Sequence, residues 1–291
     1  MSNGTEAAPA GLVAAQIVFL MGWATVAAWL MRRRGLLRVD VVLGPVRMLP
    51  GENPWIWGGI ALVAASTGLI AGQVALAAWE VSEAWAPYVP GVVLSLVGIA
   101  AIVAGVKGLL VGGWGRIGLG GQRLGRTVVA AVVTLLAVLP VVYLMGIVAM
   151  AVAEMMGRPP QPHRLLTDLQ ASRDLLPLVV AMAVVLAPLL EELVFRGLIQ
   201  TLLTRLLTGP AEAELTPGLR TQGRWQSILI TSLLFAAIHG EPAFLPPLFV
   251  LSIGLGVAYE RTGNLWVPII IHSLFNSGQV ALFLLLMNGV A

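Results

Sequence analysis

The sequence predicts an all-α, polytopic membrane protein of about eight transmembrane helices that enclose a polar site at membrane depth. Three observations predict it. The 291 residues are 58% hydrophobic and 11% charged, against roughly 25% charged in a soluble domain. The apolar residues fall in long runs separated by short, arginine-bearing loops. One of those runs carries Glu191, Glu192 and Arg196 in its interior. A charge at that depth costs several kcal/mol and marks a protein-lined or wet setting.

The elements follow in order. The first span is expected from about Gly11 to Met31. Arg32, Arg33, Arg34, Arg38 and Arg47 come after it, which puts that loop in the cytoplasm and the N-terminus outside. Because the positive cluster follows the apolar run, the segment reads as an anchor and not as a cleavable signal peptide. A second span, about Ile56 to Ala78, leads to an outside loop with Glu80 and Glu83 and no lysine or arginine. The third runs from about Gly91 to Leu110, and Arg116, Arg123 and Arg126 mark the glycine-rich cytoplasmic loop after it. The fourth runs from about Val128 to Val152, with Pro140 as a kink. Residues 154–174 form a polar outside loop, although Arg158, Arg164 and Arg173 run against that orientation.

The fifth span, about Leu175 to Leu207, is too long for one crossing and extends into the cytoplasm. Residues 208–224, rich in Gly, Pro and Thr, read as a flexible inside loop. The sixth run goes from Trp225 to His239 and ends at the turn Gly240-Glu241-Pro242. The seventh covers about Phe244 to Tyr259, and the eighth about Leu265 to Met287. Trp55, Trp57, Trp79, Trp85, Trp114, Trp225 and Trp266 lie near span ends, as an interfacial belt would place them.

Composition removes several chemistries. No cysteine is present, which excludes disulfides, thiolate zinc sites and cysteine nucleophiles. The net charge of +3 sits mainly on loop arginines, so it is a topology signal and not a nucleic-acid footprint. The glycines between Gly112 and Gly121 read as a loop, without the context of a phosphate-binding motif.

The polar groups inside the spans reach a common depth. Glu192 lies thirteen residues from Arg205, His239 fifteen from Arg224 and His272 eleven from Arg261. At helical rise these separations are roughly 16 to 23 Å from the inner face. Glu192 and Arg196 share a helix face and pair. Glu191 then points about 100° away, a free carboxylate and a candidate general base. His272 and Asn276 share a face, as do Phe235 and His239. Pro188 and Pro268 each remove a backbone hydrogen bond beside these groups. Singly, a membrane histidine is often an interhelical packing partner. Two acids, two histidines and an asparagine at one depth are poorly explained by packing. His163, in a polar loop, reads as solvated, and Gln279 and Asn288 as helix-contact groups.

At these residues the sequence resembles a known family. Glu191-Glu192-x-x-x-Arg196, Phe235-x-x-x-His239 and His272-x-x-x-Asn276 match in order the three motifs of the CPBP family. These are the CAAX prenyl protease and bacteriocin-processing membrane endopeptidases, also called Abi. The words APLLEELVFRG and GNLWVPIIIHSLFN match as well. The resemblance divides the chain into 175–291, the catalytic helices, and 1–174, about four helices without a recognised motif. It implies eight helices around an intramembrane active-site cavity. It implies that Glu191 activates a water with help from His239, that His272 and Asn276 stabilise the oxyanion, and that Glu192 and Arg196 support them. A zinc ion on Glu191, His239 and His272 is the alternative catalytic set. The absence of HExxH and the fit of Asn276 to an oxyanion role weigh toward a metal-independent site.

The expected activity is an intramembrane endopeptidase acting on a membrane-associated peptide or protein. Sixteen arginines to one lysine point to a GC-rich bacterial genome and hence a bacterial inner membrane. That setting favours a peptide or membrane-protein substrate over a prenylated tail. The alternative is a non-proteolytic scaffold or bacteriocin self-immunity factor built on the same fold. A proton-coupled transporter fits less well, since no inverted repeat or paired broken helices are visible.

Overall fold

The computed structural model describes residues 53, 55–78, 85–121, 123–158, 169, 173–208 and 216–289. The expected first span, its arginine cluster, Glu80, Glu83 and His163 lie outside these residues. Seven long helices make up the described part, and no strand occurs in it. They are α1 (Trp55–Ala78), α2 (Val89–Leu109), α3 (Leu124–Met155), α4 (Arg173–Thr208), α5 (Pro217–Ala237), α6 (Leu245–Thr262) and α7 (Trp266–Gly289). Among the described residues six helices are long and apolar enough to cross a membrane, against the eight spans expected. The sixth expected run, now α5, falls short because Arg220, Gln222 and Arg224 occupy its first half. α4 runs for 36 residues, about 50 Å at helical rise and longer than a hydrocarbon core of about 30 Å.

Residues 217–224, expected as loop, are helical instead. Thr216 caps α5 by accepting a hydrogen bond from Leu219 N at 3.4 Å, and a proline at the first turn suits a helix start. Arg224 is then drawn into the protein by Glu260, its Nε 3.0 Å from Glu260 Oε2. A buried partner on another helix outweighs the local loop signal of glycine and threonine.

Three apolar clusters hold the helices together. The largest joins Trp57, Ile60 and Ala64 of α1 with Ile102 and Val106 of α2, Leu193 and Leu198 of α4, Tyr259 of α6 and Ile269 of α7. It crosses the 174/175 boundary, so the helices before α4 pack directly on those carrying the polar groups. A second cluster ties α3 to α6 and α7 through Leu135, Val142, Leu251, Leu255 and Ile271. A third packs Leu178 and Val179 of α4 on Val280 of α7. Trp57 belongs to this core and is fully buried, so it is not an interfacial anchor. Trp55, Trp85, Trp114 and Trp266 are exposed, as belt residues are. Leu62, Val63, Leu69 and Ile70 on α1 and Val129, Val133 and Leu136 on α3 are exposed apolar groups, the outer face a bilayer would cover.

Small residues bring α1 and α2 close. Gly68 and Gly72, four apart on α1, face Leu94 and Pro90 of α2, a spacing that lets two backbones approach. A Cβ on Gly72 would lie 2.8 Å from Pro90 O. Gly72→Leu is therefore expected to cost about 1–3 kcal/mol by overpacking, read as a lower melting temperature in detergent. An unchanged melt would show that α1 and α2 separate freely there.

The glycine-rich loop has a structural task. Gly118, with φ +79°, offers its carbonyl to Leu265 N at 3.1 Å, and Ile117 O accepts from Tyr259 Oη at 3.2 Å. The loop thus pins the α6–α7 turn, and so the start of the helix that carries His272.

Candidate active site

The site is built on an irregular stretch of α4. The helix is α over Leu176–Val180, π over Ala181–Leu186, α over Ala187–Glu192, π over Leu193–Gln200 and α again to Thr208. π turns inside a membrane helix are uncommon and recur at functional sites. Pro188 lies between the two, where its missing N–H and its ring disturb regular pitch.

Glu191 and Glu192 sit between these turns and face different surroundings. Glu192 is fully buried, and its Oε1 accepts from Arg196 Nη1 at 2.8 Å. The same Oε1 lies 2.9 Å from His272 Nδ1. Arg196, also fully buried, donates through Nη2 to Ser252 Oγ at 2.6 Å and Ser252 O at 3.2 Å. Its guanidinium carbon stands 4.9 Å over the Phe235 ring, a cation–π contact in a desolvated place. Glu192 therefore does more than pair with its helix neighbour: it bridges α4 to α7, while Arg196 bridges α4 to α6.

Glu191 is held differently. Its Oε2 has no hydrogen-bond partner and lies 3.9 Å from His272 Nε2. That separation is too long for a direct hydrogen bond. The tautomer of His272 follows from its other nitrogen. An ionised carboxylate only accepts, so Nδ1 carries the hydrogen toward Glu192 and Nε2 is the free position facing Glu191. One histidine thus stands between both acids.

His239 lies two residues beyond the end of α5, in the turn after it, and is exposed. Its Nδ1 lies 2.7 Å from Phe235 O, so it too carries hydrogen on Nδ1 and leaves Nε2 open. Phe235 is the hub of the group, its centroid 5.3 Å from Phe195, 4.9 Å from His239 and 5.6 Å from His272. Asn276, one turn beyond His272, donates through Nδ2 to Ala183 O on α4 at 2.7 Å. The structure thus brings Glu191, Glu192, Arg196 and His272 into one cluster, joins His239 to it through Phe235, and ties Asn276 to the backbone beside it.

Sequence reasoning missed a set of residues that continue the cluster. Glu192, Arg196, Gln200, Thr204 and Thr208 recur every four residues on α4, and all are buried. In a regular α-helix each four-residue step overshoots a turn by about 40°, which would carry the stripe off one face. The wider π turns between Leu193 and Gln200 take up that overshoot, and Thr201 Oγ1 reaches back five residues to Arg196 O. α6 answers with Ser252, Gly256 and Glu260, also four apart. Gln200 Nε2 donates to Glu260 Oε1 at 3.1 Å and Gly256 O at 3.3 Å. Thr204 Oγ1 and Ser227 Oγ on α5 are 2.7 Å apart. The signal was present as four-residue polar spacing within apolar runs. It was hidden because Thr, Ser and Gln are unremarkable one at a time.

Among the described residues no group of three or more His, Asp or Glu could hold an ion. His272 Nδ1 and His239 Nδ1 are already occupied by Glu192 and a backbone carbonyl. Nε2 of both histidines is open, and Nδ1–H bonded to a carboxylate or a carbonyl is also how a metal-binding histidine is oriented; no step is routed through zinc, and a chelator tests the set of Glu191, His239 and His272.

Residues 173–278 match the family described as type II CAAX prenyl endopeptidase, Rce1-like. The chain is similar to the membrane-embedded CAAX protease MroQ of Staphylococcus aureus (strain USA300), 34% identical over 111 residues. That alignment covers 38% of this chain and 41% of MroQ, less than half the length of either protein. No solved structure matches the chain.

Proposed function

We propose that this protein, whose residues 173–278 match the type II CAAX prenyl endopeptidase family, is an intramembrane endopeptidase of a bacterial inner membrane. It hydrolyses a peptide bond in a membrane-associated peptide or protein. The observation that carries this reading is the 3.9 Å gap between the unpartnered Glu191 Oε2 and His272 Nε2. As substrate binds, the two side chains part to admit one water, which bonds to both groups. Glu191 takes its proton as the oxygen attacks the scissile carbonyl, with His239 Nε2 assisting at the rim. His272, held by Glu192 through Nδ1–H, enters the step with a second proton taken up from solvent on Nε2, offers it in a hydrogen bond to the oxyanion and keeps it through the turnover. The proton held by Glu191 then passes to the leaving amine, the carbon–nitrogen bond breaks, and a free acid and amine result. Glu192, Arg196, Ser252 and Phe235 keep His272 in place throughout. The helices before α4 serve as the scaffold on which residues 175–291 carry the chemistry.

The experiment uses purified protein in nanodiscs, incubated with membrane-associated and prenylated peptides and read by mass spectrometry for new termini. Defined cleavage is expected, favouring unprenylated membrane peptides and surviving a zinc chelator. Loss of cleavage on chelation would overturn the metal-independent mechanism. No cleavage by a well-folded protein across the library would overturn the endopeptidase reading in favour of a scaffold or immunity role.

A further inference from the structure

α4 contains a carbonyl that its own helix cannot satisfy. In the π stretch Ala181–Leu186, Ala187 N–H bonds to Met182 O, five residues back. The next bond in that register would run from residue 188 to Ala183 O. Residue 188 is proline and has no N–H to give. Within an apolar span such a carbonyl needs another donor. Asn276 supplies it, Nδ2 to Ala183 O at 2.7 Å. The amide orientation follows from chemistry, since only its nitrogen can donate to a carbonyl.

We propose that Asn276 is a positioning residue: its amide replaces the N–H that Pro188 lacks, and so fixes the π turn that aims Glu191 at His272. Two ties join α4 to α7, Glu192–His272 and Ala183–Asn276, and Pro188 and Glu191 lie between them on α4. Without the second tie, Ala183 O gains a donor only by a change of pitch. Reverting a π turn to α pitch shifts the register by one residue, about 100°, and carries Glu191 away from His272 Nε2. Asn276 therefore acts through Glu191, whereas family resemblance alone would place its amide on the oxyanion. The effect on turnover rests on the endopeptidase reading; the clamp itself does not.

A double-mutant cycle between Pro188→Ala and Asn276→Leu separates the two roles. Pro188→Ala restores a backbone N–H. In the parent, Asn276→Leu is expected to lower kcat by about 10²-fold, the effect of an ångström-scale misplacement. In the Pro188→Ala background the same change is expected to cost no more than about twofold, a clear departure from additivity. An oxyanion donor would be missed equally in both backgrounds, by about 10²–10³-fold, and that result overturns the proposal. Melting temperatures of the four proteins form a second cycle that needs no substrate. A smaller drop for Asn276→Leu once Pro188 is alanine supports the clamp even if no peptide is cleaved, and equal drops overturn it. Should Pro188→Ala silence the enzyme, the melting cycle decides.

Discussion

Glu191→Gln is expected to lower peptide cleavage by at least about 10²-fold, the contribution of a positioned general base, with no change in melting temperature. Glutamine keeps the shape of the side chain and removes its charge and basicity. The fold loses nothing measurable, because Glu191 Oε2 makes no hydrogen bond in the folded protein. Its neighbour is the control. Glu192→Gln weakens an oxygen that serves both Arg196 and His272, so it should lower the melting temperature as well as activity. Two adjacent acids would then separate cleanly, one catalytic and one architectural. Full activity in Glu191→Gln would remove the proposed base, and a melt as depressed as that of Glu192→Gln would show that Glu191 is structural.

Arg196→Met is expected to cost about 3–5 kcal/mol, the penalty for stranding one partner of a buried ion pair. Arg196 satisfies Glu192 and two acceptors on Ser252, and stacks on Phe235. Methionine fills part of the volume and answers none of these groups. Such a loss is a large share of the roughly 5–15 kcal/mol that a folded domain commands. The variant should accumulate poorly and elute as aggregate from detergent size exclusion. Pairing it with Glu192→Met removes both charges together, and this double variant should recover much of the lost stability while staying inactive. A single variant that melts like the parent would mean that Glu192 finds another counter-charge.

Much of this arrangement is legible in the chain itself. Composition and arginine placement point to the membrane. Four-residue spacing pairs Glu192 with Arg196 and groups His272 with Asn276, and each pairing lies within one helix, where geometry is known in advance. The misreadings share a cause. Residues 217–224 read as loop because Gly, Thr and Arg are judged without Glu260, a partner 36 residues away. Trp57 read as an interfacial anchor because position along a span says nothing about which side faces the core.

The sequence by itself therefore determined the class of fold, six of the eight expected spans and the polar groups within them, because these follow from hydropathy and local periodicity. Only the tertiary structure decided that His272 stands between Glu191 and Glu192, that Arg196 reaches Ser252, and that Asn276 serves a backbone carbonyl. Contacts between helices depend on the rotational phase of each helix about its axis. In α4 that phase is set by two π turns around Pro188, and a regular 3.6-residue period does not contain them.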